Sequence, residues 1–411
     1  MVTLKGSKLR EISRVLDSNI SQNMKSYGAI VAATSSHMDG KNNDVYGYCW
    51  PRDGAIVSLH QVDKGNVKFA KKFADYILQA LRDDGTFPQR VYPDPDATKA
   101  PEWTDRSEYK EDMQIDQAAM VLKLLCRLSY EDNDYCKYKK EIRRITDSFF
   151  RYKCNRSVDL WEESEGHHFY TTSSVLSALY DSLHFELEQG IGGGCDKRRI
   201  SSEIGKLRSS LELFRIKDLS GDIVRATINR SPKTKHERGY KINLLDSSII
   251  MGFVYFDDVR KDICDGISPV GSDVFDNVYR SMVSDFIKKF PINLSDVDGD
   301  GSCAPFVGRY YDDQYAGEPS KDGSPIFREG GGNPWIICTA NMGCYSYLRG
   351  RRKEGAEYLR RILQLKPKGY KYSEQVDGFS GDSIGAKNLT WSNTEVDRLI
   401  QFALCHHTDQ I

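Results

Sequence analysis

A chain of 411 residues with a formal net charge of −1 is long enough for two or three domains or one large barrel, and it carries no basic excess for a nucleic acid or a membrane surface. None of its ten Cys shows Cys-x-x-Cys or zinc-ligand spacing, and no apolar run approaches the ~20 residues that span a bilayer. No apolar signal segment follows Met1, so a soluble, cytoplasmic protein with reduced thiols is expected.

Leu9, Ile12, Val15, Leu16 and Ile20 recur at helical spacing and predict a helix over 6–24. Residues 28–53 are loop-like, and 53–82 return to helix with a kink at Gly65. Gly85, Pro88, Pro93, Pro95 and Pro101 make 83–111 a long loop. Helices follow at 113–129 and 135–152, then a loop at 153–167. Helices at 168–188 and 197–216 flank a glycine break at 190–194. The basic stretch 219–243 reads as a short hairpin or an irregular excursion. Helices at 245–254 and 272–288 precede the longest irregular stretch, 290–334. Helices at 334–349 and 352–365, a loop at 366–389 and a helix at 390–406 close the chain. Eleven or twelve helices, with no alternating-strand series and no βαβ unit, predict an all-α class.

The residues with chemical character sit in the long connections. They are Trp50 to Asp53, Trp103, Trp161 to Glu163, Gly308 to Asp313, Asn333 to Trp335, and Glu374-Gln375. Helices paired up and down would bring alternate loops to one end, where a rigid scaffold holds a pocket. The central run is Asp159-Leu160-Trp161-Glu162-Glu163. A Glu against an aromatic wall has its charged form disfavoured and can donate a proton to a leaving oxygen. The same run also reads as a helix end with a solvated acidic face. A second carboxylate, Glu374, could supply the base that cleavage of a glycosidic bond requires.

The motifs, taken in order, resemble the glucoamylase family of inverting glycoside hydrolases, family 15. They are Tyr46-Gly47-Tyr48-Cys49-Trp50-Pro51-Arg52-Asp53, Gln114-Ile115-Asp116, the Trp161-Glu162-Glu163 run with His168-Phe169-Tyr170-Thr171, Gly308-Arg309-Tyr310-Tyr311-Asp312-Asp313, Gly332-Asn333-Pro334-Trp335, Glu374-Gln375-Val376-Asp377, and Gly385 through Ser392. The resemblance spans roughly residues 28–400. It implies a single (α/α)6 barrel, expected over 1–411. The chain departs from the family's bacterial and archaeal branch in that no N-terminal β-sandwich is expected; no starch-binding module is expected either, so raw granular starch is not an expected target. It implies Glu162 as general acid and Glu374 as general base. Glu163 would touch the leaving sugar, and Arg52, Asp53 and Arg309 would grip the terminal glucose. Tyr46, Trp50, Trp161 and Trp335 would form aromatic walls, with Gln375, Gln114 and Asp116 as polar partners. Tyr311-Asp312 stands where the family carries Pro-Glu.

The implied activity is exo-acting release of β-glucose from non-reducing α-linked ends of an oligo- or polysaccharide, with no cofactor. Isomaltose, dextran or trehalose ends, or a catalytically silent sugar-binding barrel, remain alternatives. Oligomeric state is left open. Asp296, Asp298 and Asp300 resemble the start of an EF-hand loop, but Val307 stands where its bidentate Glu belongs; a solvated turn is the competing reading. His167-His168 suggests a capping or pocket-lining role rather than a metal site.

Overall fold

Six helices of the computed structural model close into a ring, and six more wrap it. The structure describes residues 5–33, 46–96, 113–152, 155–188, 194–218, 221–232, 245–257, 272–294, 304–319, 325–327 and 332–407. The expectations for Trp103, the acidic run 296–300, the glycines 190–193 and most of the basic run 230–241 lie outside them.

Among the described residues the helices are α1 (Gly6–Gln22), α2 (Pro51–Asp63), α3 (Val67–Ile77), α4 (Ile115–Asp132), α5 (Lys139–Tyr152), α6 (Phe169–Glu188), α7 (Gly194–Leu211), α8 (Ser247–Asp257), α9 (Ser272–Lys289), α10 (Ile336–Leu348), α11 (Arg352–Gln364) and α12 (Thr390–His407). Each even-numbered helix packs on the next even one, and α12 returns to α2. The odd-numbered helices lie outside: α3 rests on α2 and α4, α5 on α4 and α6, α11 on α10 and α12, and α1 on α12. This is an (α/α)6 barrel.

Sequence decides which helix goes where. On α5 the buried residues include Ile142, Ile145 and Phe149, one stripe of an otherwise charged helix. On α10 every residue from Ile336 to Tyr347 is buried, as a helix enclosed on all sides demands. Fully burying each large aliphatic or aromatic side chain stabilises by about 1.5–3 kcal/mol. The kink expected at Gly65 is a complete break between α2 and α3, and Gly65 takes the left-handed φ of 80° that the turn requires.

The loops contain more structure than their polarity suggests. β1 (Ser157–Val158) pairs with β2 (Ser164–His168), which pairs with β5 (Thr227–Pro232). Three two-stranded ribbons follow: β3 (Arg215–Asp218) with β4 (Gly221–Val224), β6 (Tyr315–Pro319) with β7 (Pro325–Phe327), and β8 (Gln375–Val376) with β9 (Ser383–Ile384). Strands of two to six residues show too few side chains for a period of two to register. No helix among the described residues is long and apolar enough to cross a membrane.

Candidate active site

Apart from Trp103, the residues singled out in the long connections gather at the N-terminal ends of the inner helices. Pro51 opens α2 at the position where its missing N–H costs nothing, and Arg52 and Asp53 follow in the first turn. Asp116 lies in the first turn of α4, directly after Gln114. Trp335 is the residue before α10. Acidic side chains in a first turn complement the positive end of the helix dipole.

Glu162 sits at the tip of the β1–β2 hairpin. Asp159 builds that tip: its Oδ1 accepts from the backbone N–H groups of Glu163 at 2.7 Å and Ser164 at 3.2 Å, and its Oδ2 accepts from Ser164 Oγ at 2.8 Å. Glu162 takes a left-handed φ of 62°, unusual for a residue with a side chain and costly unless the surroundings impose it. Its Oε1 accepts from Trp50 Nε1 at 3.0 Å and Gln114 Nε2 at 3.1 Å. Gln114 Oε1 in turn accepts from Arg52 Nη1 at 3.2 Å, which also reaches Asp116 at 3.2 Å, while Arg52 Nε meets Asp53 at 3.0 Å. Burial raises the carboxyls of Asp53 and Asp116, and Arg52 pulls both back.

Glu374 approaches from the loop between α11 and α12. It is buried, with its backbone N–H donating to Ala386 O at 2.9 Å and its O accepting from Ile336 N–H at 3.2 Å. Tyr46 donates its phenol to Glu374 Oε1 at 2.8 Å and lies 2.9 Å from the Tyr315 hydroxyl. Burial, then the nearby Glu374 charge, raises the Tyr46 phenol well above its usual range, so it stays protonated as a donor. Burial pushes Glu374 up to about 7, with the Tyr46 hydrogen bond and Arg309 opposing. Among the described residues, its buried Oε2 has no hydrogen-bond partner. Gly385, at φ 75°, passes beside that oxygen: a Cβ there would sit 2.7 Å from it. Gly385→Ala is therefore expected to displace the carboxylate and cost more than tenfold in kcat/KM for an α-glucoside. Unchanged kinetics would show that Oε2 is not held where it must act.

Arg309 anchors the opposite wall. Its guanidinium meets Glu163 Oε1 at 2.6 Å and grips Asp313 with two bonds of 2.8 and 2.7 Å. Tyr310 donates to Glu163 Oε2 at 2.6 Å. The Arg309 carbon lies 4.9 Å from the Trp335 ring centre and 5.6 Å from that of Trp161. Trp161 donates its indole N–H to Asp246 at 2.8 Å, and Asn333 Nδ2 donates to Gln375 at 3.0 Å.

The thirteen residues to which the family resemblance gives a catalytic or sugar-binding role thus meet at this end of the barrel. Asp159, Asp246, Asp313 and Tyr315 join them without having been given a role. Asp159 and Asp313 lay inside quoted motifs, whereas nothing local marks Asp246 or Tyr315. His168 does not line the pocket: Nδ1 lies 2.9 Å from Thr227 Oγ1 and Nε2 lies 2.8 Å from Ser157 O, which ties it into the sheet. Among the described residues, no group of His, Cys, Asp and Glu side chains could hold a metal ion.

The model of glycosyl hydrolases family 15 matches residues 12–401. The chain belongs to this family. Its similarity to individual family members is distant. A glucoamylase of Clostridium sp. (strain G0005) is 23% identical over 397 residues, covering 91% of this chain and 50% of that protein. One from Blastobotrys adeninivorans is 26% identical over 307 residues, covering 62% and 44%. The chain spans about half the length of these relatives. The solved glucoamylase from Saccharomycopsis fibuligera superposes with a TM-score of 0.75 at 18% identity, covering 97% of this chain and 95% of that one. A bacterial glucoamylase complexed with acarbose gives 0.70 at 17%, covering 96% and 55%. At these identities the superpositions establish the barrel.

Proposed function

We propose that the protein is an inverting, exo-acting glycoside hydrolase of the glucoamylase type, releasing β-glucose from non-reducing α-linked ends. One observation carries this reading: two carboxylates from distant loops are held at one mouth by aromatic donors four residues apart, Glu162 by Trp50 and Glu374 by Tyr46. Glu162 is the acid that protonates the leaving oxygen, and Glu374 is the base that takes a proton from the attacking water.

The two carboxylates face different charged partners. Arg309 and Asp313 are the charges that move Glu374, whereas Glu162 acts on Arg52, Asp53 and Asp116. Arg52 and Asp53 offer donors and acceptors for the hydroxyls of the terminal glucose, and Trp50, Trp161 and Trp335 enclose the ring. The buried Trp335 N–H, which has no acceptor among the described residues, is a further donor for a sugar hydroxyl.

The test is a panel of maltose, isomaltose, trehalose and longer linear glucans in a coupled glucose assay, with the fresh anomer read by proton NMR. Release of β-glucose from a chain end supports the reading. Release of α-glucose would replace inversion with retention, and sugar binding without turnover would leave a silent barrel.

A further inference from the structure

Two aromatic rings and a leucine on the rim of the barrel mouth stand out into solvent. Phe379 is 77% exposed, Leu294 58% and Tyr311 38%. An exposed Phe on a floppy loop would carry no meaning, but this one is mounted. It sits in the turn between β8 and β9, five residues beyond Glu374. Asp377 Oδ1 accepts from the backbone N–H groups of Phe379 at 2.9 Å and Ser380 at 2.8 Å, which fixes the turn. From below, Ile292 donates its N–H to Gly378 O at 2.8 Å, and Gly378 rests on the Phe290 ring, 3.1 Å from where a Cβ would stand. Leu294 belongs to the same segment as Ile292.

The strip continues towards Tyr311. The Lys289 ammonium lies 5.3 Å from the Phe290 ring centre and 5.4 Å from that of Tyr311, and it donates to the Tyr311 carbonyl. Tyr311 directly follows Arg309 and Tyr310, which hold Glu163. The two ends of the strip are thus covalent extensions of the two pocket walls, one leading to Glu374 and the other to Glu163. Tyr311 is also the position at which the chain departs from the Pro-Glu of the family's motif.

Flat, exposed aromatic faces carried on a fixed backbone suit the C–H face of a pyranose. We infer that Phe379, Leu294 and Tyr311 form an outer platform for the distal sugar units of an α-glucan whose non-reducing end occupies the pocket. This rests on the glycosidase reading above. A second copy of the chain fits less well, because Asp312 and Asp377 flank the strip and a symmetric dimer would bring like charges together.

Phe379→Ala, Tyr311→Ala and the double variant test the platform. Kinetics are measured on maltose against maltoheptaose and on isomaltose against short dextrans. Electrophoretic retardation is read in gels containing soluble starch or dextran, in a Glu162→Gln background so that the polymer is not consumed. The double variant should keep the kcat/KM of the parent protein on the disaccharide, raise KM on the matching long chain about tenfold, and lose most of its retardation in that polymer. Unchanged long-chain KM with unchanged retardation overturns the platform, as does an equal loss on the disaccharide. Light scattering that shows a dimer in the parent and a monomer in the variant, with retardation intact, assigns the strip to self-association instead. If no α-glucoside is hydrolysed, the glycosidase reading falls, and the gel alone decides: retardation of the parent lost in the variant keeps the platform, and equal migration sinks it.

Discussion

Replacing Glu162 by Gln is expected to lower turnover by about 10²–10⁴-fold while sugar affinity stays within a few-fold of the parent protein. The amide keeps the carbonyl oxygen that accepts from Trp50 and Gln114, so the pocket wall stays in place. In the proposed mechanism, what it loses is the proton for the leaving oxygen. The size of the loss should follow the leaving group. A glucosyl fluoride departs with little protonation, so on it the deficit should shrink by at least tenfold relative to maltose. Calorimetric titration with a non-hydrolysed sugar checks that binding survives. A deficit equal on both substrates would remove Glu162 from the acid role, and weakened sugar binding would make it a positioning residue.

The helices were legible because burial imposes a period. Of the stripe read on α1, Leu9, Ile12, Leu16 and Ile20 are buried, whereas Val15 is only partly so and the polar Ser13 and Asn19 are buried beside it. The candidate pocket residues were legible for another reason. Trp, Arg and paired acids in long loops have little to gain there unless a scaffold brings them together, and the motif order supplied the rest. Two things stayed hidden. The ribbons β1–β2 and β8–β9, which present Glu162 and follow Glu374, hold their shape through backbone bonds to neighbours, which leave no trace in composition. The partners Asp246 and Tyr315 act through contacts spanning 85 and 269 positions, and no local window contains such a pairing. The left-handed backbone of Glu162 was equally invisible, because the surrounding turn imposes it against the residue's own preference.

Glu374→Gln should also abolish turnover, but it is distinguished by what it does to stability. A carboxyl that burial pushes up to about 7 resists ionisation in the folded protein, whereas in the unfolded chain it ionises near 4.3. Its folded pKa is raised, so the stability it contributes is complete below about 4.3 and is lost as pH rises through 7. At pH 8 the buried charge costs on the order of 3 kcal/mol. The neutral amide removes that cost while still accepting from Tyr46. The variant should therefore melt a few degrees above the parent protein at pH 8, with the gap closing by pH 4. The same shift sets an activity limb. In the proposed mechanism Glu374 is the base and must be ionised, so kcat/KM of the parent protein should fall about tenfold per pH unit below 7. Tyr46→Phe removes a donor to the ionised form and should move that limb to higher pH. Melting curves at pH 4 and 8, with pH–rate profiles of the parent protein and the Tyr46 variant, check both halves. A parent protein as stable as the variant at pH 8, together with a limb near pH 4, would mean that solvent reaches Glu374 freely. The carboxylate would then be an ordinary surface acid, too weak a base to activate water in the way the pocket requires.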